Sequence, residues 1–396
     1  MRDWENYSLE DFISFNPKET IPKGALSKKI AMEDLGIRTK HFSCNKNEEF
    51  SSGSKFRNGD TLFARITPCL ENGKIGYVKC LEENEVAFGS TEFIVMRAKP
   101  GISNSDFVFY LGLWEELRSL AIQTMKGTSG RQRVDLDDLK TREFLLPPLA
   151  EQEAIAEVLS SLDDQIELLT KQNETLDALL LNSFLQRVQN GNPPEDDDLI
   201  ALDKEIDFLN GLACQKYAPN SESKLPVIKI KELNAGAFSK DSNFCRDDVP
   251  SKYLVHFGDI IFSWSGTLVV KLWPNEPGVL NQHLFKVTSD LYPDWFIFCW
   301  LKYHLPVFQE IARGKATTMG HIQRHHLSEA MITEKNLLDD ASFVERQSSL
   351  FNKLKANDLL IYQLRRTRDA LLPQLMSGAL RVGDAKRVIA EEVSRA

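Results

Sequence analysis

Two Gly-rich stretches of this sequence gather side chains suited to one kind of chemistry. Gly127-Thr128-Ser129-Gly130-Arg131-Gln132-Arg133 offers small residues that let backbone approach a phosphate and hydroxyls at Thr128 and Ser129 that donate to it. Arg131, Gln132 and Arg133 supply the guanidinium forks and the amide that match guanine and adenine edges. A counterpart runs from Lys315 through Thr317, Thr318, His321 and Gln323 to Arg324. Arg65, Asn72 and Lys74 make a second patch, and Trp264 with Lys271 a third. The residue types predict contact with DNA rather than bond breaking. A solvated turn ahead of a helix is the plain alternative for the loops, and Trp264 also suits a core.

Signatures of catalysis each fail at a definite residue. Asn192-Pro193-Pro194-Glu195 has Glu195 where an aromatic ring would stack on a flipped base. Gly73-Lys74 has Pro68, not glycine, five residues earlier and Ile75 after it, so no phosphate-binding loop forms. His321, His325 and His326 could bring two imidazoles to one helical face, but no second ligand set accompanies them. Aligned with the first loop, this stretch matches Arg133 to Asp138, which holds no histidine. A metal common to both halves is therefore excluded, and a surface ahead of a helix is expected.

Two long amphipathic elements must position these patches. Ile155, Leu159, Leu162, Ile166, Leu169, Leu176 and Leu180 alternate four and three apart in a stretch free of Gly and Pro, a heptad seam that starts at Pro147-Pro148 and stops near Gly191. Glu195 to Asp198 then reads as a solvated linker. A second seam runs through Phe343, Leu350, Leu354, Ile361, Leu364 and Leu371, with Pro373 ending or kinking it. Set antiparallel with Leu169 facing Ile361, every layer is apolar on both sides except Leu162 against Arg368. That register also puts Asn173 opposite Asn357, two amides that can satisfy one another and fix alignment.

The seams follow blocks that resemble each other. Asn58-Gly-Asp-Thr-Leu-Phe63 matches Phe257-Gly-Asp-Ile-Ile-Phe262, each a turn feeding a strand. Gly127 to Val134 stands as far before Leu139 as Lys315 to Ile322 does before Leu327, and Asp-Ala-Leu-Leu occurs at Asp177 and again at Asp369. The order is globule, helix, globule, helix, an internal repeat of long period. Expected boundaries are 1–147 and 193–336 for the globules, 148–192 for the first helix, and 337–396 for the second helix with its tail.

The formal charge of −9 alone argues against nucleic acid, but its distribution does not. Residues 1–146 carry 21 basic and 22 acidic side chains and residues 201–333 carry 14 of each, while residues 147–200 carry 2 against 12. The acid sits in the first helix and its linker, leaving two near-neutral globules. Six cysteines without a C-x-x-C pair are expected to be reduced and buried. No stretch of 18 apolar residues occurs and Met1 to Glu10 is acidic and mixed, so a cytoplasmic protein is expected.

On these residues the chain resembles the specificity subunits of type I restriction-modification enzymes. Leu146-Pro-Pro-Leu-Ala-Glu-Gln-Glu-Ala-Ile155 is similar to the opening of that family's first spacer helix, and Leu371-Leu-Pro-Gln-Leu-Met-Ser-Gly-Ala-Leu380 to the close of its second. The Gly-Asp turns and the Gly-Thr-Ser-Gly loop resemble motifs of its target-recognition domains. Residues 333–347 depart from the Pro-Pro-Leu-x-Glu-Gln opening. The resemblance implies an α+β, pseudo-twofold molecule with two target-recognition domains held apart by a two-helix antiparallel coiled coil. Each domain would read one half of a bipartite DNA sequence. The chain itself would hold no catalytic residue, metal or cofactor. S-adenosylmethionine would belong to two adenine-methylating modification subunits, and ATP and Mg to restriction subunits. The rival readings are a coiled-coil scaffold that binds only proteins and a stand-alone DNA-modifying enzyme.

Overall fold

The computed structural model describes residues 3–128, 130–191, 195–220, 224–239, 242–314 and 320–395. The chain divides into two compact units, residues 1–167 with 363–396, and residues 168–362. Each unit thus joins one globule to part of each long helix, so its limits cut across the helices rather than falling at their ends.

The first unit runs β1 (Glu5–Ser8), α1 (Leu9–Phe12), β2 (Ile13–Phe15), β3 (Leu26–Ile30), β4 (Asn47–Glu49), β5 (Ser54–Phe56), β6 (Thr61–Ala64), β7 (Ile75–Tyr77), β8 (Ala87–Gly89) and β9 (Phe93–Ala98). Then come α2 (Ser105–Leu113), α3 (Glu115–Gln123), α4 (Leu136–Lys140), β10 (Glu143–Leu146) and α5 (Leu149–Asn190), which continues into the second unit. Its strands form two four-stranded sheets, ordered β2-β9-β6-β7 and β4-β3-β8-β5, and a β1-β10 pair.

The second unit repeats this strand for strand with β11 (Ile200–Ala201), β12 (Asp207–Asn210), β13 (Leu225–Ile228), β14 (Phe244–Cys245), β15 (Leu254–Val255), β16 (Ile260–Ser263), β17 (Val270–Leu272), β18 (Gly278–Leu280), β19 (Leu284–Thr288) and β20 (Met331–Ile332). The sheet orders are β12-β19-β16-β17 and β14-β13-β18-β15, with a β11-β20 pair, and the inner pair of the second sheet is parallel in both units. Its helices are α6 (Ile230–Ala235), α7 (Asp294–Gly314), α8 (Arg324–Glu329) and α9 (Ala341–Met376), the last crossing back into the first unit ahead of α10 (Val382–Arg395).

The matched Gly-Asp turns show how similar sequence yields similar strands. Gly59 (φ +87°) and Gly258 (φ +80°) take the left-handed conformation that a side chain would strain. The following Asp60 accepts the Arg57 N–H at 2.8 Å, and Asp259 accepts that of His256 at 2.8 Å. Each carboxylate also takes a cation from the neighbouring strand, Arg97 at 2.6 Å and Lys286 at 2.6 Å. The strands that follow, β6 and β16, are buried along their whole length, which their apolar runs require.

The seam register holds within each unit. In the second, Asn357 Nδ2 donates to Asn173 Oδ1 at 2.9 Å. The amides are not a closed pair, since Asn357 also donates to Gln172 Oε1 (2.8 Å) and Asn173 donates to Asp358 Oδ1 (2.7 Å). In the first unit Arg368, set against Leu162 by the sequence, is buried and donates to Asp163. The Leu162–Arg368 and Asn173–Asn357 layers are one layer seen twice, because Asp163 and Asp358, like Asn173 and Arg368, stand 195 residues apart. The Asp-Ala-Leu-Leu match, 192 residues apart, is out of this register. Asp177 accordingly pairs with Lys302 and Asp369 with Arg38.

Several expectations need correction. Cys44 and Cys80 lie side by side, their Cα atoms 5.9 Å apart; the fold brings together residues whose spacing gave no sign of adjacency. Cys69, Cys214, Cys245 and Cys299 are free, and all but Cys69 are buried. Of the two outcomes expected at Pro373, ending the helix is overturned, since the proline lies inside α9, which continues to Met376. Asp198, within the expected linker, pairs with Lys335 at 2.7 Å. Among the described residues no helix is long and apolar enough to cross a membrane.

Candidate nucleic-acid interface

In the first unit the loop between α3 and α4 returns on itself, with Lys126 and Arg133 exchanging both backbone hydrogen bonds at 2.9 Å. Arg133 also bridges Ile66, just beyond β6, and the Val134 N–H donates to the Arg65 carbonyl at 2.9 Å. Thr67 N–H donates to the Gln132 carbonyl (3.1 Å) and Gln132 N–H to Thr67 Oγ1 (3.1 Å). The fold therefore gathers Arg65, Gln132 and Arg133 on one framework and projects Thr128 and Arg131 from its tip. Ser129 lies outside the described residues.

The second unit repeats the backbone bonds by which the end of the strand holds the loop. Ser265 bridges His321, Ile322 N–H donates to the Trp264 carbonyl at 3.0 Å, and Gly266 N–H donates to the Gly320 carbonyl at 2.8 Å. Trp264 thus takes the place of Arg65 and His321 that of Arg133. Lys315, Thr317 and Thr318 lie outside the described residues, as do Asn192, Pro193 and Pro194.

Side chains at these positions differ in freedom. Arg131 is exposed and makes no side-chain hydrogen bond or ion pair among the described residues. Arg133 is exposed but gripped by Glu92: Nε lies 2.9 Å from both carboxylate oxygens and Nη2 lies 2.5 Å from Oε1. This hydrogen-bonded contact raises the guanidinium pKa further. Lys126 is likewise raised by its partner Asp135, which caps α4. Arg65 is half-buried, Nη2 donating to the Val134 carbonyl (3.3 Å) while its buried Nε has no partner.

The remaining candidates are spent more locally. Lys74 Nζ donates to the Met32 carbonyl at 2.7 Å, and Asn72 N–H to the Pro68 carbonyl at 2.9 Å within the turn after β6. Lys271, half-buried on β17, donates to the Asn234 carbonyl at 3.0 Å; burial first, and Lys302 second, lower its pKa. Trp264 packs partly against the core and donates from Nε1 to Asn210 Oδ1 at 3.1 Å, with His321 edge-on at 6.4 Å. Arg324 is exposed, donates to the Phe208 carbonyl (3.2 Å) and lies over the Phe285 ring. Gln323 is exposed at the start of α8, and its N–H donates to His326 Nδ1 at 2.9 Å.

That bond leaves His326 Nε2 as the protonated nitrogen of a neutral ring, which argues against metal in the cluster with His325 and Glu329. A second cluster, His41 with Asp164 and Glu167, was not apparent from sequence. Its ring lies between the carboxylates, Nε2 3.1 Å from Asp164 and Nδ1 3.0 Å from Glu167, so no single nitrogen faces both acids. This geometry places the imidazole as a contact joining a loop to α5. Glu92 was also missed, because nothing in the spacing links it to Arg133, 41 residues away.

Residues 1–178 match the profile of the type I restriction modification DNA specificity domain. The chain is 29% identical over 306 residues to the type I restriction enzyme MjaIX specificity subunit of Methanocaldococcus jannaschii, an alignment covering 70% of this chain and 69% of that protein. It is 30% identical over 173 residues to the EcoAI specificity subunit of Escherichia coli, covering 41% and 29%. Among solved structures, the S subunit of a type I restriction-modification system from M. genitalium aligns over 95% of this chain and 96% of that one, with 16% identity and a TM-score of 0.49.

Proposed function

We propose, from the match of residues 1–178 to the type I restriction modification DNA specificity domain and the likeness to type I specificity subunits, that this chain is the sequence-reading, non-catalytic component of a type I restriction-modification complex, each unit reading one half of a bipartite DNA site. The observation that carries this reading is the duplicated framework in which β6 and β16 each hold a loop by the same backbone hydrogen bonds. Two copies of one presentation device on one chain suit two separated half-sites. Sequence is then read by side chains at the loops, while small residues and hydroxyls position the phosphates.

The partners follow from the same reading. Two modification subunits dock on this chain and methylate adenine with S-adenosylmethionine, and restriction subunits bring ATP and Mg. The chain supplies no cofactor of its own. The test is co-purification from the native host, followed by native mass spectrometry and selection of bound sequences from random DNA. Two methyltransferases per chain and a selected site of two parts are expected. Recovery without methyltransferase and without DNA affinity at low salt would leave a protein-only scaffold and overturn the proposal.

A further inference from the structure

Arg133 and Glu92 are each fixed at the backbone before their side chains meet. Arg133 is held between Lys126 and Ile66 by paired strand-like contacts. The Glu92 carbonyl accepts the Arg65 N–H at 3.0 Å, and the Glu92 N–H donates to Ser90 Oγ at 3.1 Å. Between these anchors the carboxylate occupies one edge of the guanidinium, the Nε and Nη2 side. A free arginine must lose much of its rotamer entropy before it can make two parallel bonds. Here that ordering is already done, and the other edge, Nη1 with the second Nη2 hydrogen, makes no hydrogen bond among the described residues, on a side chain 46% exposed.

We infer that Glu92 is a positioning residue that holds Arg133 as a preorganised fork, and that this fork reads one guanine, through O6 and N7, in the half-site bound by the first unit. The inference rests on the DNA-reading function proposed above. A guanine is the base whose major-groove edge presents two acceptors to such a fork. Arg131, at the loop tip without a side-chain partner among the described residues, is left to phosphate, where a mobile charge suffices. At the matching position of the second unit stands His321, whose ring has no such fork.

The test uses the full chain, purified with the subunits it carries, and sequence selection on wild type, Arg133→Lys and Glu92→Gln. In wild type one position of one half-site is guanine. Arg133→Lys keeps the charge and loses the fork, so preference at that position alone should fall roughly 10- to 100-fold. Glu92→Gln should relax the same position by a smaller factor, with no added effect in the double variant. Preference at the other half-site is the internal control for folding. A uniform loss of affinity with unchanged base preference in Arg133→Lys overturns the inference, as does tighter binding with unchanged preference in Glu92→Gln. Wild type that selects no sequence overturns the DNA-reading function itself, and this inference with it.

Discussion

Asp163 on α5 and Arg368 on α9 are both 3% exposed and meet Oδ1 to Nη1 at 2.5 Å. The other carboxylate oxygen accepts the Tyr110 hydroxyl at 2.7 Å, so the first globule is tied to the same layer. Burial opposes the charge on Arg368, but the adjacent Asp163 and Asp369 outweigh it and raise the guanidinium pKa. The corresponding layer of the second unit replaces Arg368 by Asn173, which donates to Asp358.

Removing the cation should therefore be costly. Arg368→Met is expected to lose about 3–5 kcal/mol, because Asp163 is left buried without its partner. Asp163→Leu combined with Arg368→Met should recover part of that, since no buried charge is left unpaired, although the Tyr110 hydroxyl loses its acceptor. Urea midpoints for the singles and the double decide it; additive losses would show that the pair does not act as a unit.

The asparagine layer should behave less simply. Asn173→Leu deprives both Asn357 and Asp358 of a partner and should cost roughly 1–3 kcal/mol, while Asn357→Leu strands only Asn173 Oδ1 and the exposed Gln172. Replacing both asparagines should recover only part of the loss, because the Asn173 bond to Asp358 is not restored. Full recovery in a double-mutant cycle would mean that Asp358 finds water freely.

Asp340 marks the start of α9, accepting hydrogen bonds from Ser342 Oγ, Ser342 N–H and Phe343 N–H, with Arg187 beside it. The Ser342 hydroxyl, then the Phe343 amide, bring its pKa down to about 2. A carboxylate whose folded pKa is depressed contributes stability above its unfolded value, and that contribution is lost as pH falls through the folded one. Between about pH 4 and pH 2 wild type should lose stability more steeply than Asp340→Asn. Denaturation midpoints across that range are the measurement, and parallel profiles would remove Asp340 from the account.

If the paired helices fix the half-site spacing, shortening both should alter it. Deleting residues 165–171 and 359–365 removes one heptad at facing layers and spares both buried polar layers. At 1.5 Å per residue this is about 10 Å, or roughly three base pairs, with only about 20° of seam drift. DNA turns by about 100° over three pairs, so no shorter spacer matches both translation and rotation. The deletion protein should fold and bind each half-site weakly, but lose tight binding at the native spacing. Selection from a library of spacer lengths tests this; unchanged spacing and affinity would show that the helices do not set the distance.

Much of the frame was legible in sequence because it follows from periodicity. Heptads at Ile155 to Leu180 and Phe343 to Leu371 gave both helices and their register, and the matched Gly-Asp turns gave the repeat. What stayed hidden depends on contacts between residues distant along the chain. Gln347, buried in the seam, donates to the Leu180 carbonyl and accepts from Ser183, but its residue type reads as surface. Arg368 looked like a flaw because Asp163 lies one residue off the seam position. The Glu92 grip on Arg133 joins two segments whose order along the chain gives no hint of adjacency. The start of α9 was obscured because Asp340 caps it in place of a proline pair.

The backbone bonds that hold the two loops are conserved between units whose lengths are not. Ala64 and Phe93, paired across β6 and β9, are 29 apart in sequence, whereas Ser263 and Leu284, their equivalents, are 21 apart. The difference falls between the strands, half in the chain that leaves the end of β6 or β16 beside the loops and half between the next two strands. A scaffold of this kind can lose or gain residues there without disturbing a single strand pairing. Selection is thus free to rewrite what each half recognises by insertion and deletion as well as by substitution, at a pace the helices need not follow.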